Sequence, residues 1–424
     1  MNLKELLSGI SECECGKEHK CPIKHVVIRE GAIDSLAEIT EKYNNILLVA
    51  DENTYRVGGD AVTAVIGSRI AEKIIFPGAV ILVPNEAAIE KIKEKITPET
   101  DFILGIGSGV INDLCKHTSF ISGLRYGIVA TAPSMDGYAS KGAALILDGM
   151  KVTLNADVPE AIVADTDVLK TAPMDMILAG YGDIIGKYSC LNDWKLSALV
   201  NGEYICERVL SATYDEVEKT RKLAKGVLSR DKDALATLMG ALVGVGVLMA
   251  YVGNSRPASG SEHHFSHYFE IVGIVKGEQY LPHGIDVFYS AAETAKIRER
   301  LIALDSISEI APSFDKAKYE ANIKRIYGSV ADEVLALQNK LGWYDIIGTR
   351  LAIYKSKWSE IKELLKSAPT YSEMIDLLAE VGLSYTEGFE AFYGREKIDD
   401  AYLYAKDLKD RYTVLWMYSD IFGI

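Results

Sequence analysis

Three histidines, His263, His267 and His283, carry the clearest chemistry in this chain of 424 residues. The chain has seven histidines in all, and four of them fall between His263 and His283. In Ser261-Glu-His-His-Phe-Ser-His267 the outer pair is spaced i, i+4, so a helix presents both rings on one face. His283, in Leu281-Pro-His283-Gly284, adds a third imidazole from a separate segment, which is what a metal's coordination shell needs. Core histidines usually occur singly, so chance packing is the weaker reading. His264 falls on another face and is not expected to be a ligand.

Three further motifs could serve such a centre. Phe102-Ile-Leu-Gly-Ile-Gly-Ser-Gly109-Val-Ile-Asn-Asp113 reads as a strand, a glycine-rich turn and a helix start. Glycines let backbone approach a ligand, and the N–H groups of a helix start favour phosphate. The spacing is GxGxG, not the GxGxxG of the common dinucleotide fold, and a plain tight turn would also explain it. Asp51 ends an earlier apolar run, where a carboxylate can accept from a ribose or simply cap a helix. Thr131-Ala-Pro-Ser134-Met-Asp136-Gly-Tyr-Ala-Ser140-Lys141 follows another apolar run and gathers hydroxyls, a carboxylate and an ammonium; a polar surface loop is the plainer alternative. Gly180-Tyr-Gly-Asp183-Ile-Ile-Gly-Lys187 supplies a carboxylate, and mixed imidazole and carboxylate ligands are common in catalytic metal sites.

The elements that must position these residues divide the chain. Between about Val26 and Thr166, short apolar runs alternate with helix-patterned stretches. Ile46–Ala50, Ala79–Val83, Phe102–Gly105 and Gly127–Ala130 read as buried strands, with Ala144–Leu147 and Ala161–Ala164 adding more. Glu86–Ile96 is helical in period. The alternation predicts an α/β N-terminal domain with a mostly parallel, Rossmann-like sheet, over residues 1–170. Residues 171–424 are helix-patterned throughout, beginning with Pro173–Leu199, Leu210–Ser229 and Ala234–Val252, and predict an all-α domain. The last thirty residues read as a terminal helix packed on that bundle.

Composition limits the partners. A net charge of −14 argues against nucleic acid or an anionic membrane, but not against a small phosphorylated ligand. Ala234–Gly253 runs uncharged with Gly240 and Gly244 in GxxxG spacing, and a buried helix is preferred to a membrane span. The N-terminus lacks the apolar core of a signal peptide, which predicts a cytoplasmic protein. Six cysteines make no disulfide scaffold. Cys13, Cys15, His19 and Cys21 cluster, yet the spacing is no standard zinc finger, so an exposed, peripheral loop is expected.

Taken in order, these motifs resemble the superfamily of metal-dependent polyol dehydrogenases and dehydroquinate synthases, and within it the bacterial branch of the glycerol-1-phosphate dehydrogenases. Ala-Pro-Ser-Met-Asp-Gly-Tyr-Ala-Ser, Gly-Tyr-Gly-Asp and Ser-Glu-His-His-Phe-Ser-His carry the resemblance, which extends from Asp51 through His283. It implies Asp183, His263 and His283 as ligands of one divalent ion, zinc or nickel. It implies His267 as the imidazole that faces substrate, with Asp136 and Asp183 also contacting substrate and Asp136 and His267 catalytic. It further implies NAD(P) held by Gly109, Val110, Ile111, Asn112, Asp113, Thr131, Ala132, Pro133, Ser134 and Ser140, with Asp51 on the adenosine ribose. The implied reaction is reversible reduction of dihydroxyacetone phosphate to sn-glycerol 1-phosphate, by a homo-oligomer. Lys141, Lys187 and Arg256 are the candidates to hold the phosphate. A polyol dehydrogenase, a dehydroquinate synthase-type lyase and a silent metal-binding protein are the rivals. The lyase fits less well because its acidic ligand is usually glutamate.

Overall fold

The computed structural model describes residues 2–147 and 150–423. Its strands are β1 (His25–Arg29), β2 (Ile46–Asp51), β3 (Ile70–Phe76), β4 (Phe102–Gly107), β5 (Arg125–Ala130), β6 (Gly142–Leu147), β7 (Met150–Asn155) and β8 (Ala161–Asp165). Six of them form one sheet in the order β1-β8-β5-β4-β2-β3, and every pairing in it is parallel. β6 and β7 pair antiparallel as a separate hairpin. Parallel strands need both faces covered, and the central ones are buried on both. Leu48, Ala50, Leu104 and Ile106 face one side with Val62 and Ile66 of helix Glu52–Ile66. Gly105 faces the other, so close to Ile111 and Cys115 of helix Gly109–Ile121 that a Cβ would sit 3.0 Å from the cysteine sulfur.

Two differences from the sequence pattern are informative. Ala79–Val83 is not a strand: Val80 and Ile81 are 73% and 90% exposed. The strand in that region is β3, which runs up to Pro77 and carries Glu72 and Lys73 near its middle. Those charges suit an edge strand and break the apolar run that would have revealed it. Pro173–Leu199 is two helices, Met174–Ile185 and Lys187–Asn201, with Gly186 between them.

By compactness the chain falls into two units: Met1–Ile184 with Glu218–Asn254, and Ile185–Val217 with Ser255–Ile424. Helix Lys232–Val252 belongs to the first unit, packed on the turn Asp136–Ala139, the first helix Leu3–Ser8 and β1. It is long and apolar enough to cross a membrane, but most of it is buried inside the protein. Gly240 has open space around it; the close approach occurs at Gly246, where a Cβ would lie 2.8 Å from the Asp136 carbonyl oxygen.

Among the described residues no strand follows β8. In the second unit, helices Ser261–Lys276 and His283–Ile302 pack on each other. The first of these starts where Asp193 Oδ2 accepts from Ser261 N–H (2.7 Å) and Oγ–H (2.6 Å). It ends at Gly277, whose φ of 67° supplies the left-handed stop that glycine adopts without strain. The terminal helix Val414–Phe422 is anchored by a buried ion pair, Arg350 Nε to Asp420 Oδ2 at 2.6 Å.

Candidate active site

The first unit gathers its candidate residues at the carboxyl ends of β2, β4 and β5. From β2 the chain crosses outward to β3, whereas from β4 it proceeds the other way to β5 and β8, so the direction reverses between β2 and β4. Ligands of open parallel sheets bind at such a reversal. Asp51 stands at the end of β2 and caps the next helix, Oδ1 accepting from Asn53 N–H (2.8 Å) and Thr54 N–H (2.9 Å). At the end of β4, Gly107 is required because a Cβ there would lie 2.5 Å from Ile111 Cβ. Helix Gly109–Ile121 then begins at Ser108 with no side chain capping it, which leaves its first-turn N–H groups directed at whatever binds there.

The segment after β5 is clamped. Tyr138 O–H donates to Ala132 O (2.7 Å). A Cβ on Gly180 would fall 1.8 Å from Pro133 O, so only glycine lets that helix lie against the loop. Lys116, fully buried in helix Gly109–Ile121, donates to Gly137 O (2.8 Å) and Gly142 O (2.9 Å). Burial pushes its pKa down, opposed by Asp113 at 3.5 Å. Ser140 Oγ donates to Gly137 O (3.1 Å), and Asp113 Oδ2 accepts from Ala144 N–H (3.2 Å). Asp136 follows Met135 at the head of this turn, and its N–H donates to Oδ2 of the buried Asp183 (3.0 Å). The clamp thus fixes Asp136 and orients Asp183.

The second unit brings the three histidines into a triangle. Ring centroids are 5.1 Å apart for His263 and His283, 5.6 Å for His267 and His283, and 6.1 Å for His263 and His267. Two rings are held from behind. His263 Nδ1 lies 2.7 Å from Glu262 Oε1, which also accepts from Gly260 N–H (2.9 Å). Burial raises the Glu262 carboxyl to about 7. His283 Nδ1 lies 3.1 Å from Ser266 Oγ. A neighbour on Nδ1 fixes ring orientation and leaves Nε2 as the ligand atom, the usual arrangement behind metal-binding imidazoles. Two such imidazoles suit a borderline divalent ion. His264 is fully buried and far below its ordinary pKa through burial, a neutral ring outside the triangle.

Of the phosphate candidates, Arg256 is already committed, with Nε donating to Glu203 Oε1 (2.7 Å) and Nη2 to Tyr412 O (2.8 Å). Lys187 is buried and Lys141 exposed. Glu262, Ser266 and Lys116 are the supporting residues that sequence reasoning missed. Only Glu262 left a signal, as the acid beside His263. The N-terminal cluster is not an exposed loop: His19 is 1% exposed, and Cys13, Cys15 and Cys21 are half-buried.

Residues 27–173 match the family model of the iron-containing alcohol dehydrogenases. In fold, the chain is similar to NADH-dependent butanol dehydrogenase A of Thermotoga maritima, with a TM-score of 0.52 at 17% identity, covering 90% of this chain and 96% of that one. A glycerol-1-phosphate dehydrogenase (NAD(P)+) of Bacillus subtilis is 31% identical over 343 residues, covering 78% of this chain and 86% of its own. The protein of the same name from Halalkalibacterium halodurans is 35% identical over 295 residues, 68% of this chain and 74% of that protein. At that identity and coverage the chain belongs to the glycerol-1-phosphate dehydrogenase family.

Proposed function

We propose that this chain reversibly reduces dihydroxyacetone phosphate to sn-glycerol 1-phosphate with NAD(P)H and a divalent metal. The observation that carries the reading is the histidine triangle, in which Glu262 and Ser266 turn the Nε2 atoms of His263 and His283 to ligand duty. Asp183, His263 and His283 would supply one carboxylate and two imidazoles, donors suited to zinc or nickel. When bound, such an ion supplies Lewis-acid polarisation of the substrate carbonyl, and NAD(P)H supplies the hydride. His267, half-buried in the same triangle, gives the proton to the C2 oxygen, directly or through water. Asp136, fixed by the clamped turn, contacts the substrate. The N–H groups of Gly109, Val110 and Ile111 meet the cofactor pyrophosphate, with Asn112, Asp113, Thr131–Ser134 and Ser140 around it. Both cap bonds of Asp51 use Oδ1, so Oδ2 serves the ribose, and a carboxylate there favours NAD over a 2′-phosphate. Lys141 and Lys187 are the candidates to meet the substrate phosphate. The reading extends to a cytoplasmic homo-oligomer that supplies phospholipid biosynthesis.

The test, after loading zinc or nickel, is NADH oxidation with dihydroxyacetone phosphate or dihydroxyacetone, NAD+ reduction with glycerol, and phosphate release from a dehydroquinate precursor. Charge-assisted hydrogen bonds to phosphate contribute about 1.5–3 kcal/mol each. The phosphorylated ketone should therefore exceed the plain one in kcat/KM by about 100-fold or more. The product should give no signal with an enzyme that accepts only sn-glycerol 3-phosphate. Equal efficiency on dihydroxyacetone would move the assignment to a polyol dehydrogenase.

A further inference from the structure

The cysteines that this chemistry leaves unused include two in a pinned N-terminal loop. Ile10 N–H donates to His19 O (2.8 Å) and His19 N–H returns to Ile10 O (2.9 Å), closing the loop at its neck. Inside it, Gly16 N–H donates to Cys13 O (2.9 Å), a tight turn that Gly16 completes at a left-handed φ of 79°. The turn brings the sulfurs of Cys13 and Cys15 and a ring nitrogen of His19 within 4.8 Å of one another. Cys15 Sγ is 3.3 Å from His19 Nε2.

The His19 ring is built in rather than incidental. It is buried, stacks on Tyr251 with centroids 5.2 Å apart, and sets Nδ1 3.2 Å from the Tyr251 carbonyl oxygen. A carbonyl only accepts, so Nδ1 carries the proton and Nε2 keeps its lone pair toward Cys15. Tyr251 is in turn tied by its O–H to the Leu6 carbonyl. This is the orientation of a metal-binding imidazole, its outer nitrogen donating to a fixed acceptor. A sulfur and a nitrogen bound tetrahedrally to zinc lie about 3.6 Å apart, given bond lengths of ~2.3 and ~2.05 Å, close to the separation seen.

We propose that Cys13, Cys15 and His19 hold one zinc-type divalent cation in a site made of other residues than the histidine triangle. Two thiolates and one imidazole select a borderline-soft ion. Each thiol gives up its proton on binding the ion. Cys21, the near neighbour in sequence, stands outside the group, and burial raises its thiol pKa.

The experiment uses the full chain, stripped of metal under reducing conditions and titrated with cobalt(II) as the probe. Thiolate–cobalt charge transfer gives an intense near-ultraviolet band, which a carboxylate–imidazole site lacks. Wild type and His283→Ala should both show it, Cys21→Ser should keep it, and Cys15→Ser should lose most of it together with one equivalent of zinc by elemental analysis. If Cys15→Ser fails to fold, the wild type decides alone: zinc should slow the reaction of two thiols with a thiol reagent by at least about tenfold. Absence of the band in wild type, or thiols equally reactive with and without zinc, overturns the site.

Discussion

Replacing Lys116 by methionine keeps the length and bulk of the side chain and removes only its ammonium. That ammonium is fully buried and donates to Gly137 O at 2.8 Å and Gly142 O at 2.9 Å. Hydrogen bonds to charged groups contribute about 1.5–3 kcal/mol each, so the two together give ~3–6 kcal/mol. Burial of the charge opposes them and is the main cause of the lowered lysine pKa. Removing the charge recovers part of that cost, but leaves the Gly137 and Gly142 carbonyl oxygens to share the neutral Ser140 hydroxyl, at 3.1 and 3.2 Å, in place of a charged donor. Breaking one side of a buried charged contact usually destabilises for this reason, and a net loss of ~2–4 kcal/mol is expected. For a unit of this size that lowers Tm by roughly 5–15 °C. Because the freed turn carries Asp136, KM for the ketone should also rise, about fivefold or more, as the contact geometry loosens. Thermal unfolding and steady-state kinetics of purified Lys116→Met read the two effects. Gly246→Ala provides a charge-free comparison, since its Cβ would press on Asp136 O at 2.8 Å and disturb the same turn. An unchanged Tm and KM in Lys116→Met would show that the ammonium does not hold the turn.

The remaining predictions concern the metal and the sheet. His283→Ala should lose most of the catalytic metal by elemental analysis, and Ser266→Ala should weaken its affinity about 10-fold or more through loss of the Nδ1 neighbour. His267→Ala should instead keep the metal and lose turnover; metal loss equal to that of a His263 variant would reverse the roles within the pair. Glu160 accepts from Lys24 (3.0 Å) and Tyr43 (3.1 Å) and pairs with Lys42 (2.8 Å), fastening the chain beside β1 and β8. Burial disfavours its charge, but hydrogen bonds from Lys42, Lys24 and Tyr43 outweigh that and hold its pKa below 4.5. A depressed carboxyl stabilises above its unfolded pKa and loses that contribution as pH falls through the folded one. Glu160→Gln should thus cost ~1–2 kcal/mol at pH 7 in urea unfolding, with the difference from wild type shrinking at pH values below 4.5.

What the sequence made legible is what depends on short spacing and on apolar runs. β2, β4, β5 and β8 are near-continuous apolar stretches because both faces of a parallel sheet are covered, and each was found where the run lay. β3 was missed, and Ala79–Val83 mistaken for a strand, for one reason. An edge strand tolerates charge, whereas an exposed apolar run between Pro77 and Pro84 lacks a partner strand that sequence could have reported. The i, i+4 pair was legible because helix geometry alone sets it.

The supports behind His263 and behind the turn that carries Asp136 were not, and the reason differs for each. Glu262 adjoins His263, and adjacent residues on a helix do not ordinarily face each other. Their contact exists because Glu262 sits in the first turn, where its carboxylate bends back to the Gly260 N–H and meets the ring there. Lys116 spends its donors on backbone carbonyls, which any sequence possesses, so nothing in residue identity marks its partners. A lone lysine in an amphipathic helix is read as a solvated face, because lysine is almost never fully buried without a partner. Here the partners are a turn's carbonyl oxygens, and they exist only once Gly246 and Gly180 have let two helices close on that turn. Residues that act through backbone become visible only after the backbone has been placed. Accordingly, the effects of Lys116 and Gly246 variants should depend on the integrity of the 131–142 segment and should not add when the two are combined.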